Sequence, residues 1–143
     1  MKSVPNELKC IAVHPDKPYL AIAGTDGFFS VWNYLSKTAL DIEYDSRDEP
    51  TFMQYTPNGK CLIVCYSNGV IRFFSIEEED DGESIHIKGK LVETQESLKV
   101  SNNSNKEITG LVIAPDSKKF ATMDASCCVC LFIWEHKLSL IHI

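Results

Sequence analysis

The sequence predicts an all-β chain in which one four-stranded antiparallel unit recurs about three times, and three observations predict it. A common pattern recurs at residues 11–34, 52–75 and 111–134. Proline and glycine hold fixed columns within it, and the segments between them are rich in Ile, Val, Phe, Tyr and Trp, which suit a pleated, half-buried surface.

The columns carry the turns. Pro15, Pro57 and Pro115 share one; Gly27, Gly69 and Cys127 a second; Trp32, Phe74 and Phe132 a third. Proline lacks an N–H and fixes φ, so it ends the first strand and starts a turn that Asp16, Asn58-Gly59 and Asp116-Ser117 continue. Asp26-Gly27 and Asn68-Gly69 predict two-residue hairpins of type I′, which need positive φ at both central positions. Ser126-Cys127 occupies that place in the third copy and departs from the rule.

Strands are therefore expected near 9–13, 19–23, 28–33 and 38–44, then 51–55, 61–66, 70–75 and 85–92, then 107–113, 119–123 and 128–133. Pro57 follows Pro15 by 42 residues, within the ~40 to 45 residue period of a propeller blade. Pro115 follows Pro57 by 58, because residues 77–106 carry an acidic and polar insertion. The domain reading is a blade at 1–50, a blade with its insertion at 51–106, and a partial blade at 107–143. The final LSLIHI either pairs as a fourth strand or is foreign sequence, and no function is built on His142.

Composition narrows the function classes. A net charge of −6 with scattered lysines argues against a nucleic-acid partner. Pro5, Asn6 and Glu7 stand where the apolar core of a secretion signal would lie, and no run reaches the roughly 18 to 20 apolar residues of a membrane helix. The expectation is a cytoplasmic chain with no membrane partner. Its six cysteines are then reduced, with Cys10, Cys61, Cys65, Cys128 and Cys130 acting as small buried hydrophobes.

No residue group reads as catalytic, cofactor-binding or metal-ligating. Cys127, Cys128 and Cys130 lack the Cys-x2-Cys turns of a structural zinc site, and strand alternation splits them between two faces. The run from Glu77 to Asp81 lacks the register of a calcium loop and reads as a solvated loop. There is no Gly-x-Ser-x-Gly, phosphate loop or His-x-Glu motif, so the expectation is no enzyme and no cofactor. His14 is expected to pair with Asp26 or another turn residue.

His14-Pro15-Asp16, Gly24-Thr25-Asp26-Gly27 and Trp32-Asn33 in the first copy resemble the WD40 repeat family. So do Thr56-Pro57-Asn58-Gly59, Ser67-Asn68-Gly69 and Phe74-Ser75 in the second, and Ala114-Pro115-Asp116-Ser117 and Met123-Asp124 in the third. The resemblance covers about residues 8–134 and implies a WD40 β-propeller fragment. None of the copies keeps a strict Trp-Asp pair, which puts in doubt the buried polar network that aspartate joins. The structural repeat positions are His14, Pro15, Asp26, Gly27, Trp32, Pro57, Gly69, Phe74, Pro115, Asp124 and Phe132.

More loosely, the chain resembles cilia- and flagella-associated WD-repeat proteins of the radial-spoke region. That implies a non-catalytic protein-binding scaffold in the axoneme, needed for motility, with radial-spoke and other axonemal components as partners. The alternative is an accessory domain of a cytoplasmic enzyme or trafficking complex. Candidate contacts are residues expected on exposed turns and loops: Tyr19, Tyr34, Arg47, Asp48, Glu49, Glu77, Glu78, Glu79, Asp80 and Asp81. Three blades leave unpaired edges, so the missing blades of the parent chain count among the expected partners, and the isolated chain is expected to aggregate without them.

Overall fold

The protein is described by a computed structural model, which covers residues 7–42, 48–79, 88–94, 97–99, 106–134 and 138–142. Every regular element among them is a β-strand. The first sheet has the order β1 (Leu8–Val13), β2 (Tyr19–Gly24), β3 (Phe29–Asn33), β4 (Thr38–Ala39). The third repeats it with β11 (Ile108–Ile113), β12 (Lys119–Asp124), β13 (Val129–Trp134) and β14 (Leu138–His142). LSLIHI thus supplies a fourth strand, with Leu138 opposite Trp134 and His142 opposite Cys130.

The second sheet is larger than the expected four strands. Its core is β6 (Pro50–Tyr55), β7 (Leu62–Tyr66), β8 (Val70–Glu79) and β9 (Lys88–Glu93), antiparallel throughout. The short β10 (Leu98–Lys99) continues the outer pairing on β8 at Val70 and Ile71. A further strand, β5 (Asp41–Ile42), runs parallel to β9 along the outer edge. The single strand expected at 38–44 is therefore divided. Leu40, buried, still gives its N–H to Val31 of the first sheet at 2.8 Å, and the chain then crosses to the second.

Turn chemistry explains where strands stop. Asp26 and Gly27 both take positive φ, 61° and 76°, as a type I′ hairpin requires. Asn68-Gly69 does not form the expected type I′ turn. Gly69 alone is at positive φ, 82°, and its N–H reaches Tyr66 O at 3.2 Å, so the loop is one residue longer with glycine at its left-handed end. Cys127 takes the same role at φ 66°, bonding Asp124 O at 3.1 Å. An irregularity recurs in each first strand, between Leu8 and Cys10, Pro50 and Phe52, and Ile108 and Gly110.

Two apolar clusters hold the sheets face to face. Tyr19, Ala21, Val31, Met53, Leu62, Val64 and Phe74 form the first, between the first and second sheets. Ile63, Cys65, Ile71, Phe73, Ile108, Phe120 and Phe132 form the second, between the second and third. Alternate residues of β7 enter opposite clusters, so all five are buried and the strand reads as a continuous apolar run. The first strands gather side by side, β6 lying against both β1 and β11.

Candidate protein-binding face

The repeat unit positions its polar groups at the two ends of the sheets. At the end where β1 turns into β2, His14 is held by its own turn: Nδ1 accepts the N–H groups of Asp16 at 3.1 Å and Lys17 at 3.0 Å. Nε2 then donates to Gly59 O of the second repeat at 2.9 Å, and the ring packs edge-on against Tyr55 at 5.0 Å. His14 therefore pairs with a turn residue of the next blade rather than with Asp26. The second interface has its own polar contact at this level, Asn58 N–H donating to Ser117 Oγ at 2.9 Å.

Glu78 joins the same end. It accepts from the Tyr19 hydroxyl at 2.7 Å and the Lys17 ammonium at 2.9 Å. These two hydrogen bonds hold its carboxyl below the ordinary range, while burial, then the bond to Glu78, pushes the Tyr19 phenol up to about 12. Two sequence expectations are corrected here. Tyr19 is buried, 3% exposed, because its strand faces the second sheet. Glu77, Glu78 and Glu79 belong to β8, paired opposite Lys90, Gly89 and Lys88, and are not a loop.

The opposite end carries the starts of the first strands and the hairpin turns. One glutamate per repeat stands there, Glu7, Glu49 and Glu107, at offsets of 42 and 58 that match the proline column. Their carbonyls do one job three times, accepting Thr25, Ser67 and Ala125 N–H at 2.9, 2.8 and 2.9 Å. That leaves the carboxylates facing outward. Lys9 bridges Glu7 and Glu49 at 3.3 Å each. Beside them a groove of about 290 Å³ opens between the second and third repeats, lined by Lys9, Glu49, Thr51, Phe52, Glu107 and Thr109 among others. Phe52 is 38% exposed in it.

Asp124 closes the third hairpin. Buried, it accepts Ser126 N–H at 2.9 Å, Ser126 Oγ at 2.6 Å and Cys128 N–H at 3.2 Å. Burial pushes its carboxyl up, but these three donors outweigh burial and hold it below the ordinary value. This polar network lies within the third hairpin itself.

The remaining sequence candidates fall as follows. Trp32 is 39% exposed, whereas its column mates Phe74 and Phe132 are buried. Tyr34 is exposed; Asp48 lies near Arg72 at 3.9 Å, which also meets Glu93 at 3.3 Å. Arg47, Asp80 and Asp81 lie outside the described residues. All six cysteines are unbridged; Cys65 and Cys130 are buried, but Cys128 sits exposed in the turn before β13 rather than in the strand. Burial pushes the Cys10 and Cys61 thiols up to about 11 and 12, so they are poor nucleophiles. Sequence reasoning picked out Glu49 but missed the glutamate column, although the offsets that align the prolines also align Glu7, Glu49 and Glu107.

Three comparisons bear on this geometry. The chain overlays the β-propeller domain of Myceliophthora thermophila Cps50 (Swd1), a crystal structure, with a TM-score of 0.71 at 14% identity, covering 99% of this chain and 46% of that one. The family model "WD domain, G-beta repeat" matches residues 4–33, the span of the first Pro, Asp-Gly and Trp columns. The first repeat thus matches the WD-repeat model, and the fold of the chain is that of a β-propeller fragment. Over 144 residues the chain is 26% identical to "Cilia- and flagella-associated protein 251" of Tetrahymena thermophila, covering 96% of the chain and 13% of that protein. Over 74 residues it is 31% identical to "WD repeat-containing protein 1" of Mus musculus, covering 50% and 12%. The chain thus spans about one eighth of the length of these curated relatives. Among its described residues no helix is long and apolar enough to cross a membrane.

Proposed function

We propose that this chain is a non-catalytic protein-binding platform whose contact surface is the glutamate-rimmed end of the sheets. The WD-repeat propeller is generally an interaction scaffold, and function on such a fold belongs to its surface. The observation that carries the reading is the recurrence of one outward carboxylate per repeat, Glu7, Glu49 and Glu107, of which Glu49 and Glu107 line, with Lys9, a groove that exposes Phe52. An apolar anchor inside an acidic rim suits a partner segment that pairs an apolar side chain with lysine or arginine. The contact unit is the blade, divided at 1–50, 51–106 and 107–143.

The finer reading is a structural role in the ciliary or flagellar axoneme, with radial-spoke components as partners and the cilium as its location. It is supported by the similarity, over 96% of the chain, to a protein named cilia- and flagella-associated. The test is affinity capture of the protein that contains this chain from ciliated and non-ciliated cells, alongside a Glu49→Lys, Glu107→Lys variant. Axonemal proteins recovered only from ciliated cells, and lost with the variant, are the expected result. Recovery of an enzyme or trafficking complex from both cell types, indifferent to the variant, refutes both the location and the site.

A further inference from the structure

The first strand of each repeat carries one extra residue, and the three extra residues meet in the groove. Leu8 and Cys10 pair with Gly24 and Ala23, which are adjacent, so Lys9 is left over. Thr51 is left over in the same way between Pro50 and Phe52, and Thr109 between Ile108 and Gly110. A bulge of this kind re-aims its side chain. Lys9, Thr51 and Thr109 all line the groove that exposes Phe52. That groove opens over β6, which has β1 on one side and β11 on the other, so the strands that shape it are all in place.

Two of the bulges fold back on themselves and one does not. Thr51 Oγ1 donates to Cys65 O at 3.3 Å and Thr109 Oγ1 to Met123 O at 3.4 Å, each within its own sheet. Lys9 reaches outward instead, with its ammonium 3.3 Å from both Glu7 Oε2 and Glu49 Oε1. Its bonds to Glu7 and then Glu49 hold the ammonium above its ordinary value, so it is charged at neutral pH. Of the two carboxylates that line the groove, Glu49 is thus already matched with a cation, whereas Glu107 meets none among the described residues.

We propose that Lys9 is a built-in competitor for the groove: it stands in for one of two cations on a basic partner segment with an apolar centre, and binding displaces it from Glu49. This rests on the reading of the groove as the contact surface. Threonine closes the same bulge twice, so the bulge itself does not require a lysine. What lysine adds is a cation of the partner's own chemistry on a carboxylate the partner needs. A segment that sets its apolar side chain on Phe52 meets Glu107 at once, but its second cation gains Glu49 only when Lys9 swings away. The Lys9 side chain is 32% exposed and sits on the bulge, where no ladder bond has to break for it to move.

The test is binding of a fluorescein-labelled Gly-Lys-Leu-Lys-Gly peptide to the polypeptide that contains this chain, read by fluorescence anisotropy in low salt. Lys9→Met, with Lys9→Gln as a second neutral variant, is expected to bind about threefold more tightly, the scale of one exposed ion pair. Lys9→Arg keeps the wild-type affinity. Lys60→Met changes the net charge equally at the far end of the sheets and is expected to leave the affinity as it is, which separates displacement from overall charge. Adding Glu49→Gln to Lys9→Met removes the gain. Equal or weaker binding by both neutral variants, at a site that Glu49→Lys with Glu107→Lys abolishes, overturns the competitor and leaves the groove reading intact. No binding of the peptide, or binding indifferent to that double variant, overturns the groove reading and the competitor together.

Discussion

Truncating Phe73 to alanine removes the ring that the second and third sheets share. The side chain is fully buried and meets Trp134 and Phe120 edge-on, with centroids 5.4 and 5.9 Å away. Phenylalanine buries about 150 to 250 Å². At about 25 cal/mol per Å² this is about 4 to 6 kcal/mol, an upper bound because the unfolded chain already covers part of that surface. Large-to-small substitutions in cores cost about 3 to 5 kcal/mol, so about 4 kcal/mol is the expected loss. That is a large share of the roughly 5 to 15 kcal/mol that holds a domain together. Urea unfolding at fixed protein concentration, followed by tryptophan fluorescence, reads it directly, since Trp134 meets the lost ring edge-on. Phe52→Ala, at a position 38% exposed, serves as the control and is expected to cost less than about 1 kcal/mol. A loss below about 1 kcal/mol for Phe73→Ala would falsify the packing of the second sheet against the third.

Three further outcomes are expected. Gly59→Ala places a Cβ 2.6 Å from His14 Cε1 at φ 74°, so it is expected to destabilise by about 2 kcal/mol in the same assay; no loss would mean that the His14 contact is not made. Cys127→Gly relieves a left-handed residue at φ 66° where the other repeats have glycine, and a gain of about 0.5 to 1 kcal/mol is expected; a loss would show that the thiol, not the backbone, fixes that turn. The Glu78 carboxyl lies below its ordinary 4.5 because it is bonded to Lys17 and Tyr19. A depressed carboxylate contributes stability fully above its unfolded value and loses it as pH falls through the folded one. Glu78→Gln is therefore expected to flatten the decline in melting temperature below about pH 4.5, and an unchanged acid limb would rule the cluster out as its source.

The three-repeat plan was legible because proline and glycine mark turns by local geometry, whatever the rest of the chain does. Pro15, Pro57 and Pro115 end three equivalent strands, and β2, β7 and β12 start within a residue of expectation. What tertiary contacts decide was hidden. Glu77 to Glu79 look solvated by composition, yet they extend β8 because Lys88 to Lys90 pair across from them and Lys17 and Tyr19 reach Glu78. Asn68-Gly69 and Asp26-Gly27 look alike as dipeptides but form loops of different length. Strand alternation shows that two faces exist without saying which is covered, so Tyr19 read as exposed and Trp32 gave no sign of differing from Phe74. The glutamate column was visible in the alignment and passed over, because a polar residue before a strand looks like any other loop residue.

The crossing of β5 to the second sheet changes how the blades come apart and together. In a linear repeat array each unit meets only its neighbour, and one end can fray alone. Here Asp41 and Ile42 close a loop with Lys90 and Leu91, partners that leave a ribosome 49 residues later. The first blade therefore waits for the second to be synthesised before its exit segment is fixed, and melting of the first blade pulls on the outer edge of the second. Amide exchange along β5 and β9 should then rise and fall together, as a single opening event spanning two blades.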